Sequence, residues 1–483
     1  MHSSEYWSTA QAVEELAAGR VTAVEMLERA IARIETFDQS LNAVVVRDFE
    51  RAREAATTAD AALARGERRP LLGVPMTVKE SYNVAGLPTT WGMPPFRDWV
   101  ATEDAIAVAR LKAAGAVIFG KTNVPFALGD WQSYNEIYGT TNNPWDVGRT
   151  HGGSSGGSAV ALAAGYVSLE LGSDIGGSLR APAHYCGVYS HKPTRNVLPV
   201  RGHVMPGAIG GTPDLNVIGP LARTAGDLAV AVDVLAGPDV FDATAYRLQL
   251  PPARHDTLRD FRILVVDSHP LLPTSSDVRA ALDTLATRLR SAGATVAQAS
   301  PLLPDLTQAT KVFVQLLMPV LFARQPPEAI AHLAAAAARL PASADSMAAW
   351  RLRACVSSHR DWLAADAARI GLAHQWRALF AQWDVVLFAP MPTPAYPQDE
   401  SADVNARTLD IDGTAYPYFD QIAYASLASA PGLPATTAPI GRTPSGLPVG
   451  VQIIGPYLED RTTIRFAELL EREWGGFVSP PGF

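Results

Sequence analysis

Residues 152–180 carry an unusual density of glycine and serine. Gly152-Gly-Ser-Ser-Gly-Gly-Ser158 is followed by Gly172-Ser-Asp-Ile-Gly-Gly-Ser-Leu-Arg180. A glycine has no Cβ, so the backbone can turn sharply and aim consecutive N–H groups at one point. A serine placed directly after two glycines therefore sits beside a ready set of hydrogen-bond donors. Nucleophilic acyl chemistry needs that pairing: a hydroxyl to attack, and donors for the oxyanion that develops. Tight packing of turns explains the same glycines, and on this segment alone the two readings stand level.

The rest of the composition narrows the field. The chain has 483 residues, 48% hydrophobic and 18% charged, with a net charge of -8. Such a length holds a large core, with two or three domains as the prior. The negative balance argues against nucleic acid or an anionic membrane as partner. Ten histidines show no metal-ligand spacing, so no metal is expected and they read as surface or satisfied polar residues. Cys186 and Cys355 are too few for a disulfide framework and read as reduced, buried thiols in a cytoplasmic protein. The first eighteen residues include Glu5, Glu14 and Glu15 and lack an apolar signal core. Val312–Phe322, the most apolar stretch, is too short to span a bilayer and contains Gln315 and Pro319.

Strand and helix patterns alternate along the chain. Ser8 with Gln11 and Thr22 with Glu25 are capping-box pairs, and Val24, Leu27, Ile31 and Ile34 fall on one face of the second helix. A short β-like run beginning at Gly73 ends at Lys79. A helix through Ala105, Val108 and Leu111 leads to a strand over 116–119, and an Ala-rich helix covers 158–165. Farther on, 263–266 and 385–388 read as buried strands, 277–289 as an amphipathic helix, and 328–365 as Ala-rich and helical in period. The alternation implies an α/β fold with a sheet covered on both faces. Without a fixed repeat or a long linker, one domain over 1–483 is favoured.

Two local motif matches mislead. Gly115–Thr122 satisfies the Walker A pattern, but its middle residues, Ala-Val-Ile-Phe, read as a strand rather than as an open phosphate-cradling loop. Ser154 and Ser155 each centre a G-x-S-x-G match. A nucleophile elbow needs a strand running straight into it, whereas residues 145–151 are polar and turn-rich. The last histidine, His374, lies more than a hundred residues before the end, so a Ser-His-Asp esterase of another fold is the weaker alternative.

Taken together, Gly152–Ser158, Ser173–Arg180 and Lys192-Pro-Thr194 closely resemble the amidase signature family. Gly73-Val-Pro-Met-Thr-Val-Lys-Glu80, Gly120–Pro125, Pro431–Pro434 and Gly446–Pro456 are similar to that family's other motifs. The likeness is dense over 1–225 and 384–460 and thin over a variable helical region at about 235–380. The resemblance implies a large twisted mixed β-sheet sandwiched between helices in one domain. It implies an amidase that cleaves a carboxylic acid amide through a serine acyl-enzyme, with no cofactor. Ser178 would be the nucleophile, Ser154 the bridge and Lys79 the base. The backbone amides of Ile175, Gly176, Gly177 and Ser178 would form the oxyanion hole. Ser155 would be structural, and Asp174 and Arg180 would hold the loop in shape.

A lysine serves as a base only when neutral. Burial without a carboxylate partner lowers its pKa by roughly 3–5 pH units. Lys79 ends an apolar strand, and Glu80 beside it should point to the opposite face. Within the family, a free-standing amidase acting on a small-molecule amide is favoured over the glutaminase subunit of a glutamyl-tRNA amidotransferase. That subunit carries an Arg-Arg-Ile-Met-Leu-Gly-like stretch, and this chain has Ser358-His-Arg-Asp-Trp-Leu363. The fatty-acid type usually brings an N-terminal membrane segment, which is not expected here. By resemblance Leu128, Asp130 and Trp131 face the acyl channel, near Trp91 and Met93. Phe126 departs from the polar or acidic residue common after Asn-x-Pro. The lining suggests an apolar or aromatic acyl group, and a homodimer stays open.

Overall fold

The computed structural model describes residues 6–208 and 214–483. Glu5, part of the argument against a leader, lies outside them. Both expected capping boxes form: Ser8 and Gln11 close the start of helix Thr9–Ala17, and Thr22 and Glu25 that of Ala23–Leu41. Each satisfies two N–H groups that the first helical turn would leave without partners.

Among the described residues the main sheet has eight strands, ordered in space Thr295–Ala297, Arg262–Val265, Val385–Phe388, Pro448–Ile454, Ala435–Arg442, Tyr189–Lys192, Val217–Ala222 and Leu169–Asp174. The first three run parallel and every later pairing is antiparallel, so the sheet is mixed as expected. The strand that ends at Lys79, Pro75–Lys79, is not in it. It pairs in parallel with Val117–Thr122, which pairs antiparallel with Val44–Arg47, and these three form a separate sheet packed beside Leu169–Asp174.

Alternate residues of one strand enter different cores, the arrangement of a sheet covered on both faces. Ile118 joins the larger apolar cluster, while Val117 and Phe119 join the cluster of the N-terminal helices and Gly156–Ala163. The Ala-rich stretch 328–365 is not one helix. It divides into Pro327–Ala338, Met347–Cys355 and the start of His359–Gln382, with Ser346 and Ser358 capping the second and third. Cys186 is buried, but Cys355 is only half-buried, and both thiols are free. No helix among the described residues is long and apolar enough to cross a membrane.

Candidate active site

The ends of two strands, Pro75–Lys79 and Leu169–Asp174, and the loop at Ser154 and Ser155 converge on one buried amine. Lys79 closes its strand opposite Thr122 and has no exposed surface. Its Nζ lies 2.6 Å from Ser154 Oγ, 2.9 Å from Ser173 Oγ and 3.1 Å from Ser155 Oγ. Among the described residues it forms no salt bridge. Burial, partly offset by the negative charges of Asp174 and Glu170, brings its pKa down to about 7. Burial also raises Glu170 to about 7, against the hydrogen bond it accepts from Thr77. Glu80 faces away, as alternation requires: it accepts the N–H groups of Thr90 and Trp91 and the hydroxyl of Tyr138.

Ser154 and Ser155 stand at the entry to helix Gly156–Ala163, and the Gly153–Ser154 peptide is cis. Only glycine fits before them. A Cβ on Gly153 would lie 2.3 Å from the Asp130 carbonyl oxygen, and Gly152 has φ +86 with Pro182 Cα 2.6 Å from its would-be Cβ. Ser155 is a tie between segments: its Oγ donates to the Ser173 carbonyl, and its N–H donates to the Ser178 carbonyl at 3.2 Å.

Ser178 sits in the turn between strand Leu169–Asp174 and helix Arg180–Cys186. Asp174 shapes that turn by accepting N–H groups from Gly177 and Leu179 and pairing with Arg180 at 2.9 Å. Burial would raise the Asp174 pKa, but the Arg180 guanidinium outweighs it and holds the carboxyl at about 2. Ser178 Oγ has no hydrogen bond among the described residues, and neither Ser154 nor Ser178 is hydrogen-bonded to a histidine among them. Ser154, Ser173 and Ser178 open onto a cavity of about 280 Å³. Trp91, Leu128, Ile175, Val204, Met205, Val320 and Leu321 form its apolar walls.

The amidase family model matches residues 25–464. The chain belongs to the amidase signature family. The glutamyl-tRNA(Gln) amidotransferase A-subunit of Roseiflexus castenholzii is 34% identical over 494 residues, covering 96% of this chain and 95% of that one. A protein provisionally named amidase AmiB2 in Mycobacterium bovis is 35% identical over 471 residues and 95% of each chain. The solved structure of a bacterial aryl acylamidase matches with a TM-score of 0.80 at 23% identity, over 97% of this chain and 96% of that one. At that identity the likeness speaks for the fold. This amidase hydrolyses carbon–nitrogen bonds other than peptide bonds.

The geometry of this amidase corrects three expectations. The Gly177 amide, expected to face an oxyanion, instead donates to Asp174 Oδ1 at 2.9 Å, because the buried carboxylate gathers the donors nearest the turn. The amides of Ile175, Gly176 and Ser178 carry no such bond among the described residues. Of the three residues expected to line the acyl channel, only Leu128 borders the cavity that Ser178 lines; Asp130 and Trp131 do not. Asp130 accepts bonds from Arg407 at 2.7 Å and Tyr418 at 2.6 Å, while the Trp131 indole N–H donates to the Gly176 carbonyl at 2.9 Å. Ser173, the third hydroxyl on Lys79, is absent from the sequence-based site; it lies inside a strand, and its local sequence carries no chemical signal. The Walker-like Lys121 is buried and donates to the Pro88 carbonyl and Thr89 Oγ.

Proposed function

We propose that Ser178 is the acylated nucleophile, Ser154 its proton bridge and Lys79 the base, in a free-standing amidase of the cytoplasm. The observation that carries this reading is the Lys79 amine: fully buried, unpaired with any carboxylate among the described residues, and 2.6 Å from Ser154 beside the cavity that Ser178 borders. Neutral Nζ takes the Ser154 proton as Ser154 takes that of Ser178. The Ser178 oxygen then bonds to the amide carbon, and the carbonyl π pair moves to oxygen, where the Ile175, Gly176 and Ser178 amides receive it. Collapse breaks the C–N bond, and the amine leaves with the proton returned through Ser154. Water repeats the sequence, releasing the acid and restoring Ser178. The scheme requires Ser178 to reach Ser154 by rotation about χ1, a change among staggered positions.

The apolar walls favour amides of apolar or aromatic acids. A panel of aliphatic and aryl amides tests this, and a preference for small charged amides sinks it. The free thiols of Cys186 and Cys355 suit a reducing compartment. A fluorophosphonate probe, with peptide mapping of the labelled residue, tests the nucleophile. Labelling at Ser178 supports the assignment, and wild-type turnover by Ser178→Ala refutes it.

The likeness to amidotransferase subunits supports a second reading, a glutaminase that works within a complex. Turnover of simple amides by the purified chain alone favours the free-standing enzyme, while strict dependence on a partner favours the amidotransferase reading.

A further inference from the structure

Asp130, Trp131 and Gln132 do not line the cavity, yet they are among the most heavily bonded residues near it. Asp130 Oδ1 accepts the Trp131 N–H at 2.7 Å and the Tyr418 hydroxyl at 2.6 Å, and Oδ2 accepts from Arg407 at 2.7 Å. The Arg407 and Asp130 side chains are 1% and 8% exposed, so the pair is desolvated and costly to break from one side. Gln132 forms a two-bond amide pair with Asp399, donating from Nε2 to its carbonyl and accepting its N–H at Oε1, each at 2.8 Å. These residues therefore grip a strap running from Asp399 to Tyr418.

Trp131, between them, packs on Tyr418 and Phe419 and donates its indole N–H to the Gly176 carbonyl at 2.9 Å. Gly176 C=O and Gly177 N–H belong to one peptide plane. Trp131 holds its oxygen side, and Asp174 holds its N–H side at 2.9 Å. Gly177 has φ +98, in a region that glycine visits freely, so without these anchors the turn has no intrinsic preference for this geometry. The neighbouring amides of Gly176 and Ser178 take their direction from the plane so pinned.

We propose that Trp131 is a positioning residue for the oxyanion loop, and that the Asp130–Arg407 pair fixes Trp131 in turn. The inference rests on Ser178 being the nucleophile. Its consequence is specific: Trp131 is absent from the cavity wall, so its indole N–H acts on transition-state stabilisation through the loop and not through contact with substrate.

The test is the second-order rate at which a fluorophosphonate probe labels Ser178, with the site mapped, in the wild type, Trp131→Phe and Arg407→Lys. The attack forms an O–P bond, expels fluoride and places a phosphoryl oxygen where the oxyanion would sit. Trp131→Phe keeps the ring packing and removes the donor. Labelling at Ser178 at least tenfold slower, with the same pH midpoint and an unchanged thermal transition, supports the proposal, and Arg407→Lys should slow labelling as well. If wild-type Ser178 is not labelled, the underlying nucleophile assignment fails and this inference with it. If Ser178 is labelled and Trp131→Phe reacts at the wild-type rate, the inference alone fails. Should Trp131→Phe not fold, the Arg407→Lys rate decides: slowed labelling in a folded protein supports the proposal, and an unchanged rate overturns it.

Discussion

A buried amine is a chemical instrument only if it can lose its proton, and the residues around Lys79 fix where that happens. Three serine hydroxyls lie within hydrogen-bond reach of it, and it forms no salt bridge with a carboxylate among the described residues. Lys79→Ala should cut turnover by roughly 10³-fold or more, the scale of losing a member of a catalytic unit. Lys79→Arg should be equally inactive, because a guanidinium stays protonated; steady-state turnover checks both. Glu170 adds a negative charge that raises the Lys79 pKa. Glu170→Gln should therefore move the acid limb of the pH–rate profile to lower pH, and a shift upward would contradict this account. The lysine was legible from the motif pattern around it, since a single lysine after an apolar run carries no signal. Asp130 was misplaced for the converse reason: its partner Arg407 lies 277 residues away, and no local pattern links them.

At the scale of elements, the turn at Gly152–Ser155 is built on close approach. A methyl group on Gly153 would meet backbone atoms of Asp130 and Gln132 at 2.3 and 2.8 Å, neither of which can swing aside. Gly153→Ala should destabilise the protein by about 1–3 kcal/mol, in the range of overpacked sites. It should also lower activity by displacing Ser154; urea unfolding and turnover measure the two effects. The helix that Ser358 caps lies away from this turn. Ser358→Ala removes one capping box and should cost about 1 kcal/mol with activity intact. The strand over 385–388 and both N-terminal caps were readable because their signals are local. The division of 328–365 into three helices was hidden by alanines, which suit every helix face and so mask the breaks near Pro341 and Ser357. The strand Val117–Thr122 ran longer than expected because pairing on both sides, to Pro75–Lys79 and Val44–Arg47, carries Gly120 and Lys121 into it.

Across the whole molecule, the expected mixed sheet formed, but the sequence offered no sign that Lys79 would stand in a neighbouring three-stranded sheet; ladder partners are set by distant segments. One apolar cluster runs from Val46 to Leu470 and includes the 235–380 region. We propose that the chain unfolds as one unit, giving a single calorimetric transition; two resolved transitions would refute it. Its pH dependence follows from buried and half-buried titrating groups. Burial raises Glu170 and Glu471 to about 7 and Asp420 to about 6, so these stabilise the fold progressively as pH falls toward about 4.5. Burial lowers His151 and His203 to about 3 and His184 and His269 to about 4, so the unfolded chain gains protons below 6.5 that the fold refuses. The opposing effects offset one another down to about pH 4.5; below it, of these three carboxyls only Asp420 still adds stability, down to about pH 3.8, and the losses prevail. Urea midpoints should change little between about pH 6.5 and 5 and fall steeply below about 4.5; an unchanged midpoint at about pH 3.5 would contradict this.

The most direct test of the neutral lysine is the pH dependence of fluorophosphonate labelling at Ser178. The account predicts a rate that climbs about tenfold per pH unit and levels off above a midpoint near 7, with the climb abolished in Lys79→Ala. A midpoint near 10, where an ordinary lysine titrates, or a rate independent of pH, would contradict it.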